Sequence, residues 1–354
     1  MQRTVEPSGN FAFIDTIRGA AALLVFYFHL HTLVFYHLPE QAISHRSLTY
    51  YFVLGYFDLG KFAVGCFFVV SGFLIPATLA SPDSNLRKFS IHRAFRLYPA
   101  YWFSLLAALV CMNWLAGWKF DLRTFLVNLT MFQKFFGVTD VIGAYWTLQI
   151  ELIFYILCGV LFAVGRLQKR AEIIACTLAA AMLCALARHY THRELPVALF
   201  LALAMMFFGD SLRAFDQGRV AARQINITFV CIAAALIPIF MAGYNVEGAR
   251  YIVTYWAAMT VFCLAYRFRR IFSEARWIRR GSIALADCSY SIYLLHAPIG
   301  LILGIYLQAI YHNRLLTAIA AFSSTLLVSA CVYHGIEKPM IRLGKSLGRD
   351  RTVH

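Results

Sequence analysis

Ten apolar stretches of eighteen to twenty-four residues follow one another along this 354-residue chain. They lie near 17–38, 56–79, 97–116, 141–164, 171–188, 195–212, 224–243, 250–267, 284–307 and 315–336. A stretch of about twenty apolar residues is long enough, as a helix, to cross the ~30 Å hydrocarbon layer of a bilayer. Ten in succession leave little room for any other plan. The composition agrees: 61% of the residues are hydrophobic, where a soluble domain is nearer half. The expected fold is an all-α, polytopic transmembrane bundle of about ten spans. It forms one domain over 1–354, with spans over about 17–336 and a short cytoplasmic tail at 337–354.

The charge balance orients the bundle. The chain carries 32 Lys and Arg against 17 Asp and Glu. With residue 1 on the cytoplasmic side, the inner segments hold 23 of these cations and the outer loops 8, with Lys61 inside a span. That bias places both termini in the cytoplasm. Topology alone therefore accounts for most of the positive charge, and no nucleic-acid partner is expected. Membrane lipids, with acidic head groups on that face, or an anionic cosubstrate remain open.

The nine cysteines all lie in apolar stretches, and none forms a CxxC pair. They read as small buried hydrophobes rather than as disulfide or zinc ligands, so no metal is expected. No cleavable signal peptide is evident, because the first apolar run is long, contains Arg18 and follows a mostly polar segment. The outer segments 39–55 and 117–140 are too short for an enzyme domain, so any chemistry falls to the bundle itself.

Ionisable groups inside a span are costly, which makes each a functional candidate. Arg18 and His29 are eleven residues apart in FIDTIRGAAALLVFYFH. A helical rise of ~1.5 Å per residue puts His29 roughly 16 Å deeper than Arg18, near mid-depth. Glu151, in AYWTLQIELIFY, reaches a similar depth and is the natural partner to orient His29. The plainer alternative for Glu151 is a hydrogen bond between helices. His296, in SYSIYLLHAP, also counts to mid-depth, either as a second base or as a satisfied core histidine. His31 and His37 read as interfacial. Asp58 and Lys61, three apart, pair with each other or bind a polar substrate.

Two further segments have competing readings. Gly65, Ser71 and Gly72 in the second apolar stretch suit close helix packing. Arg93 and Arg96, in the inner loop RKFSIHRAFRLYPAYW, share a face at a helix start. Their planar guanidinium groups suit phosphate recognition, and positive-inside topology explains them equally well. No GxSxG elbow, Walker loop, HExxH or HxxxxD box is present.

Together these segments resemble the acyltransferase 3 family of integral membrane acyltransferases. The resemblance is carried by residues 13–29, 65–75, 92–102, 145–155 and 289–299, in order, and closes on Glu337, Lys338 and Pro339. The family's Arg-x10-His pattern falls on Arg18 and His29, its Arg-x-x-Arg on Arg93 and Arg96. Its tryptophan–serine–leucine…glutamate motif ends on Glu151, with Thr147 where serine is usual and Ile150 as a second, minor departure. The resemblance implies a stand-alone form, without an appended esterase-like domain, in the bacterial inner membrane. It implies transfer of an acetyl or other short acyl group from acyl-coenzyme A (acyl-CoA, typically acetyl-CoA) to a sugar hydroxyl of a carbohydrate or glycolipid.

On that reading His29 and Glu151 are catalytic, His29 as general base or transient acyl carrier. Arg93, Arg96 and Arg18 hold the donor phosphates. Trp146, Tyr145, Asp58, Lys61 and His296 are candidate substrate-binding residues. The competing reading is a transporter in which His29, Glu151 and His296 relay protons. It leaves the Arg93/Arg96 mouth unexplained, and the spans show no inverted halves.

Overall fold

The computed structural model describes residues 11–35, 55–81, 84–115, 117, 121–244, 247–274 and 276–348. His37, parts of the expected first span, of both long outer segments and of the terminal tail, and the cations Arg3, Arg46, Lys119, Arg349 and Arg351 lie outside the described residues. Among those described, every regular element is helical and there is no strand.

The long helices are α1 (Ala12–His29), α2 (Leu59–Leu79), α3 (Leu86–Ala108), α5 (Trp146–Ala163), α6 (Arg170–Thr191), α7 (Val197–Asp216), α8 (Ala222–Tyr244), α9 (Gly248–Arg267), α11 (Arg276–Leu295) and α13 (Arg314–Val332). Shorter ones are α4 (Leu122–Asn128), α10 (Arg269–Glu274), α12 (Ile302–Tyr311) and α14 (Lys338–Leu347). Among the described residues, nine helical stretches are long and apolar enough to cross a membrane. The expected tenth span, 250–267, does form the 20-residue helix α9. It falls short in hydropathy because Arg250, Tyr251, Thr254, Tyr255, Trp256 and Arg267 interrupt its apolar residues.

Two boundaries differ from the sequence reading in ways that move site residues. Arg93 and Arg96 are not in a loop. Asn85 caps α3, its side chain accepting from the Lys88 backbone N–H at 2.7 Å, and the helix runs on from Leu86. Such a cap satisfies one of the orphan amides of the first turn. Secondly, α5 starts only at Trp146, after a 3₁₀ turn over Gly143–Tyr145, so Glu151 sits in its second turn.

The described chain falls into two compact units. The first contains residues 11–25, 55–74 and 169–289. Its centre is α7, where Met205, Met206, Phe207 and Phe208 are fully buried. Gly72 packs backbone to backbone on it: a Cβ there would lie 1.7 Å from the Met206 carbonyl oxygen. Gly65 lets the side chains of Ala258 and Met205 come close. Gly65 and Gly72 are therefore packing residues, as their spacing allowed. The second unit contains 26–35, 75–168 and 290–348. In it α14 packs along α3, and α13 packs against α12 and the segment that follows His296.

Several outer helices face outwards with apolar side chains, among them Leu183 on α6, Val230 on α8 and Leu327 on α13. Cys176, Cys231 and Cys331 share those exposed faces, whereas sequence suggested that every cysteine was buried. A thiol is weakly polar, so a hydrocarbon-facing position suits it as well as a core one. All nine cysteines are free.

Candidate active site

The second unit brings His29 and His296 together. His29 Nδ1 lies 2.9 Å from His296 Nε2, and the two rings are 13° from parallel with centroids 5.0 Å apart. His296 Nδ1 lies 2.6 Å from the Tyr293 carbonyl oxygen. A carbonyl only accepts, so His296 Nδ1 carries the proton. With both rings neutral, His296 Nε2 must accept, and His29 Nδ1–H donates to it. The lone pair of His29 is then on Nε2. His296 is 1% exposed and His29 is half-buried, so this lone pair belongs to the more accessible ring.

The backbone changes form at both histidines. After His29 the helix widens into a π-helical segment over Leu30–Phe35, and another begins at His296 and runs to Leu301. π-Helical turns are rare and concentrate at functional sites. Gly300, inside the second, allows the close approach of Phe26 and Thr325; a Cβ there would be 2.4 Å from each side chain. Phe26 in turn packs on the His296 ring at 5.9 Å.

Tyr293 ties this pair to α5. Its hydroxyl lies 2.6 Å from Thr147 Oγ1, and both hydroxyls reach the Ala144 carbonyl. The threonine that replaces the usual serine thus keeps the hydroxyl that the site uses. Tyr145 is 1% exposed, with its hydroxyl 2.6 Å from Ser104 and its ring against Tyr101. That is a packed core group rather than an open substrate contact. Trp146 is the half-buried first residue of α5.

Glu151 lies among the arginines. It accepts a hydrogen bond from Tyr155, one turn further along α5. The Arg93 guanidinium stacks over the Tyr155 ring at 5.4 Å and over Phe89 at 5.5 Å. Arg96 stacks over Tyr290 at 5.3 Å and forms an ion pair with Glu337. Glu337 is 1% exposed, and its second oxygen accepts from Ser291 at 2.6 Å. Arg96 thus meets an internal carboxylate. The partner shown for His29 is a second imidazole, and the one shown for Glu151 is a phenol.

Arg93 lines a cavity of about 290 Å³ with Thr78, Ser81, Ser84, Lys88, Phe89 and His92. It donates to Thr78 Oγ1 at 3.3 Å, while its buried Nε has no hydrogen-bond partner among the described residues. A buried polar atom left so costs ~1–3 kcal/mol, which a bound acceptor or water would recover. Three hydroxyls and three basic side chains make the cavity suitable for an anion.

The remaining sequence candidates lie in the first unit. Arg18 donates to Ser289 at 3.1 Å. Asp58 is 3% exposed and holds Lys61 by both its ammonium, at 3.0 Å, and its backbone N–H, at 2.8 Å. This is the pair that the spacing suggested, with Arg250 a further 3.9 Å from Asp58. Among the described residues, no cluster of three or more His, Cys, Asp or Glu could hold a metal ion.

Sequence reading passed over Glu337 as a site residue, along with Ser291, Tyr155, Lys88 and His92. Tyr155 stands at i+4 from Glu151, a spacing at which helical side chains meet. Glu337 stood in the closing motif. Its pairing with the half-buried Arg96, 241 residues earlier, had no local signal.

The apolar helices and the intramembrane histidine pair define a multi-pass membrane protein with an internal polar site. The family model for an acyltransferase domain, Acyl_transf_3, matches residues 11–334, nearly the whole chain. The chain belongs to that family and is a multi-pass membrane acyltransferase. No curated protein and no solved structure matches it. The transport reading of His29, Glu151 and His296 gains no support from this membership.

Proposed function

We propose that the protein transfers an acetyl or other short acyl group from acyl-CoA to a sugar hydroxyl of a cell-envelope or secreted glycan or glycolipid. The observation that carries the reading is the oriented histidine pair. His29 Nε2 takes the proton from the acceptor hydroxyl as the alkoxide attacks the thioester carbonyl. The carbon–sulfur bond breaks, and the thiolate of CoA recovers the proton from the imidazolium. His296 holds His29 in the tautomer with its lone pair on Nε2 and, through the Tyr293 carbonyl, fixes the ring. General-base catalysis of this kind contributes ~10²–10⁴ in rate.

The donor's phosphates bind at the cavity beside Arg93. Family membership, the basic and hydroxyl lining of that cavity and the positive-inside bias of this end of α3 support the assignment. Arg96 is directed by Glu337 and shapes the same end of α3. Glu151, through Tyr155, sets the ring over which Arg93 stacks. The protein resides in the bacterial inner membrane.

The test is direct. Purified protein is given radiolabelled acetyl-, propionyl- or succinyl-CoA with a polysaccharide or oligosaccharide acceptor. Labelled, base-labile ester on the sugar is the expected result. Folded protein that transfers from none of these donors would refute the reading.

A further inference from the structure

The helix α14 follows the last span and lies beyond the stretch that the family model matches. It is seated on α3, the helix that carries Arg93. Gly344 meets Phe95 so closely that a Cβ would lie 2.6 Å from the Phe95 Cβ. Gly348, one turn later, brings the backbone against His92, where a Cβ would be 2.7 Å from Nε2. That Nε2 is buried and has no hydrogen-bond partner among the described residues. The residue between these two contacts that matters is Lys345. It is exposed, and its charge bears on His92 together with those of Lys88 and Arg93.

Lys88, His92 and Arg93 of α3 therefore line one cavity, and α14, seated against His92, carries Lys345 near enough for its charge to act on that ring. The positive charges of Lys88, Arg93 and Lys345 repel one another. Topology needs positive charge on this side of the membrane, but does not need it gathered here. The glycine contacts fix α14 in a position that maintains the repulsion, and a bound polyanion would relieve it. Ser81, Ser84 and Thr78 supply neutral donors for the same ligand.

We propose that α14 is part of the donor site, with Lys345 contacting the nucleotide phosphates of CoA alongside Lys88, His92 and Arg93 of α3. This rests on the reading of the Arg93 cavity as the donor site.

The test uses the full-length protein and measures binding of CoA and of pantetheine, which lacks the nucleotide phosphates. Lys345→Glu is expected to weaken CoA binding about tenfold, with Lys345→Arg near parental and pantetheine unchanged. Arg223→Ala, an exposed cation of the first unit, serves as a charge control and leaves both unchanged. Parental CoA binding in Lys345→Glu, alongside weakened binding in Arg93→Ala, would overturn the role of α14 and leave the donor cavity standing. Equal loss of CoA and pantetheine binding in Lys345→Glu would show a structural effect and overturn it too. Failure of the parent protein to bind CoA would refute the donor-site reading itself.

Discussion

Replacing Glu337 by alanine isolates the best-buried charge of the second unit. The carboxylate side chain has no exposed surface and is held by Arg96 and Ser291. Breaking a buried ion pair from one side costs ~3–5 kcal/mol, mostly because the other charge is left behind. Arg96 keeps 24% of its side-chain exposure and can turn towards water, so the low end applies, about 3 kcal/mol. Loss of the Ser291 acceptor adds ~1 kcal/mol. Together these are a substantial part of a typical 5–15 kcal/mol stability. The midpoint of thermal unfolding, followed in detergent by aggregation on size exclusion, should drop by at least about 5 °C. Removing Arg96 as well should restore part of the loss, because no unpaired charge then remains. An unchanged midpoint in Glu337→Ala, or strict additivity in the double variant, would refute the reasoning.

Two further outcomes follow from local geometry. Gly72→Ala forces a methyl into the Met206 carbonyl, so α2 must separate from α7; little folded protein should survive detergent extraction, whereas Gly281→Ala, with open space around it, should extract like the parent. Asp121 caps α4, and its bonds to Thr124 hold its carboxyl below the usual value of 3.8. A depressed folded-state pKa stabilises above the unfolded value and is lost as pH falls through the folded one, so the protection of the Thr124 amide, relative to its unstructured exchange rate at each pH, should fall only as pH drops below about 4.

The apolar runs made the bundle legible, since length and hydropathy are local properties. So were Arg18 and His29, two ionisable groups spaced along one run. Depth counting put His29, Glu151 and His296 at similar levels, but partners are chosen by rotation about each helix axis, which a count of residues does not contain. The rotation turned His296 towards His29, 267 residues away. Glu151 instead meets Tyr155, one turn along its own helix. The start of α3 was hidden because its charged first turns depress hydropathy, although Asn85 carried the cap signal. The docking of α14 was hidden because Gly344 and Gly348 gain meaning only when Phe95 and His92 stand against them.

The most direct measurement is the single-turnover rate of acyl transfer by His29→Ala at saturating donor. The account predicts a folded protein that still binds CoA and transfers ~10²–10⁴ times more slowly, because the Nε2 lone pair is gone while the Arg93 cavity is intact. A folded His29→Ala variant that transfers at the parental rate would contradict it.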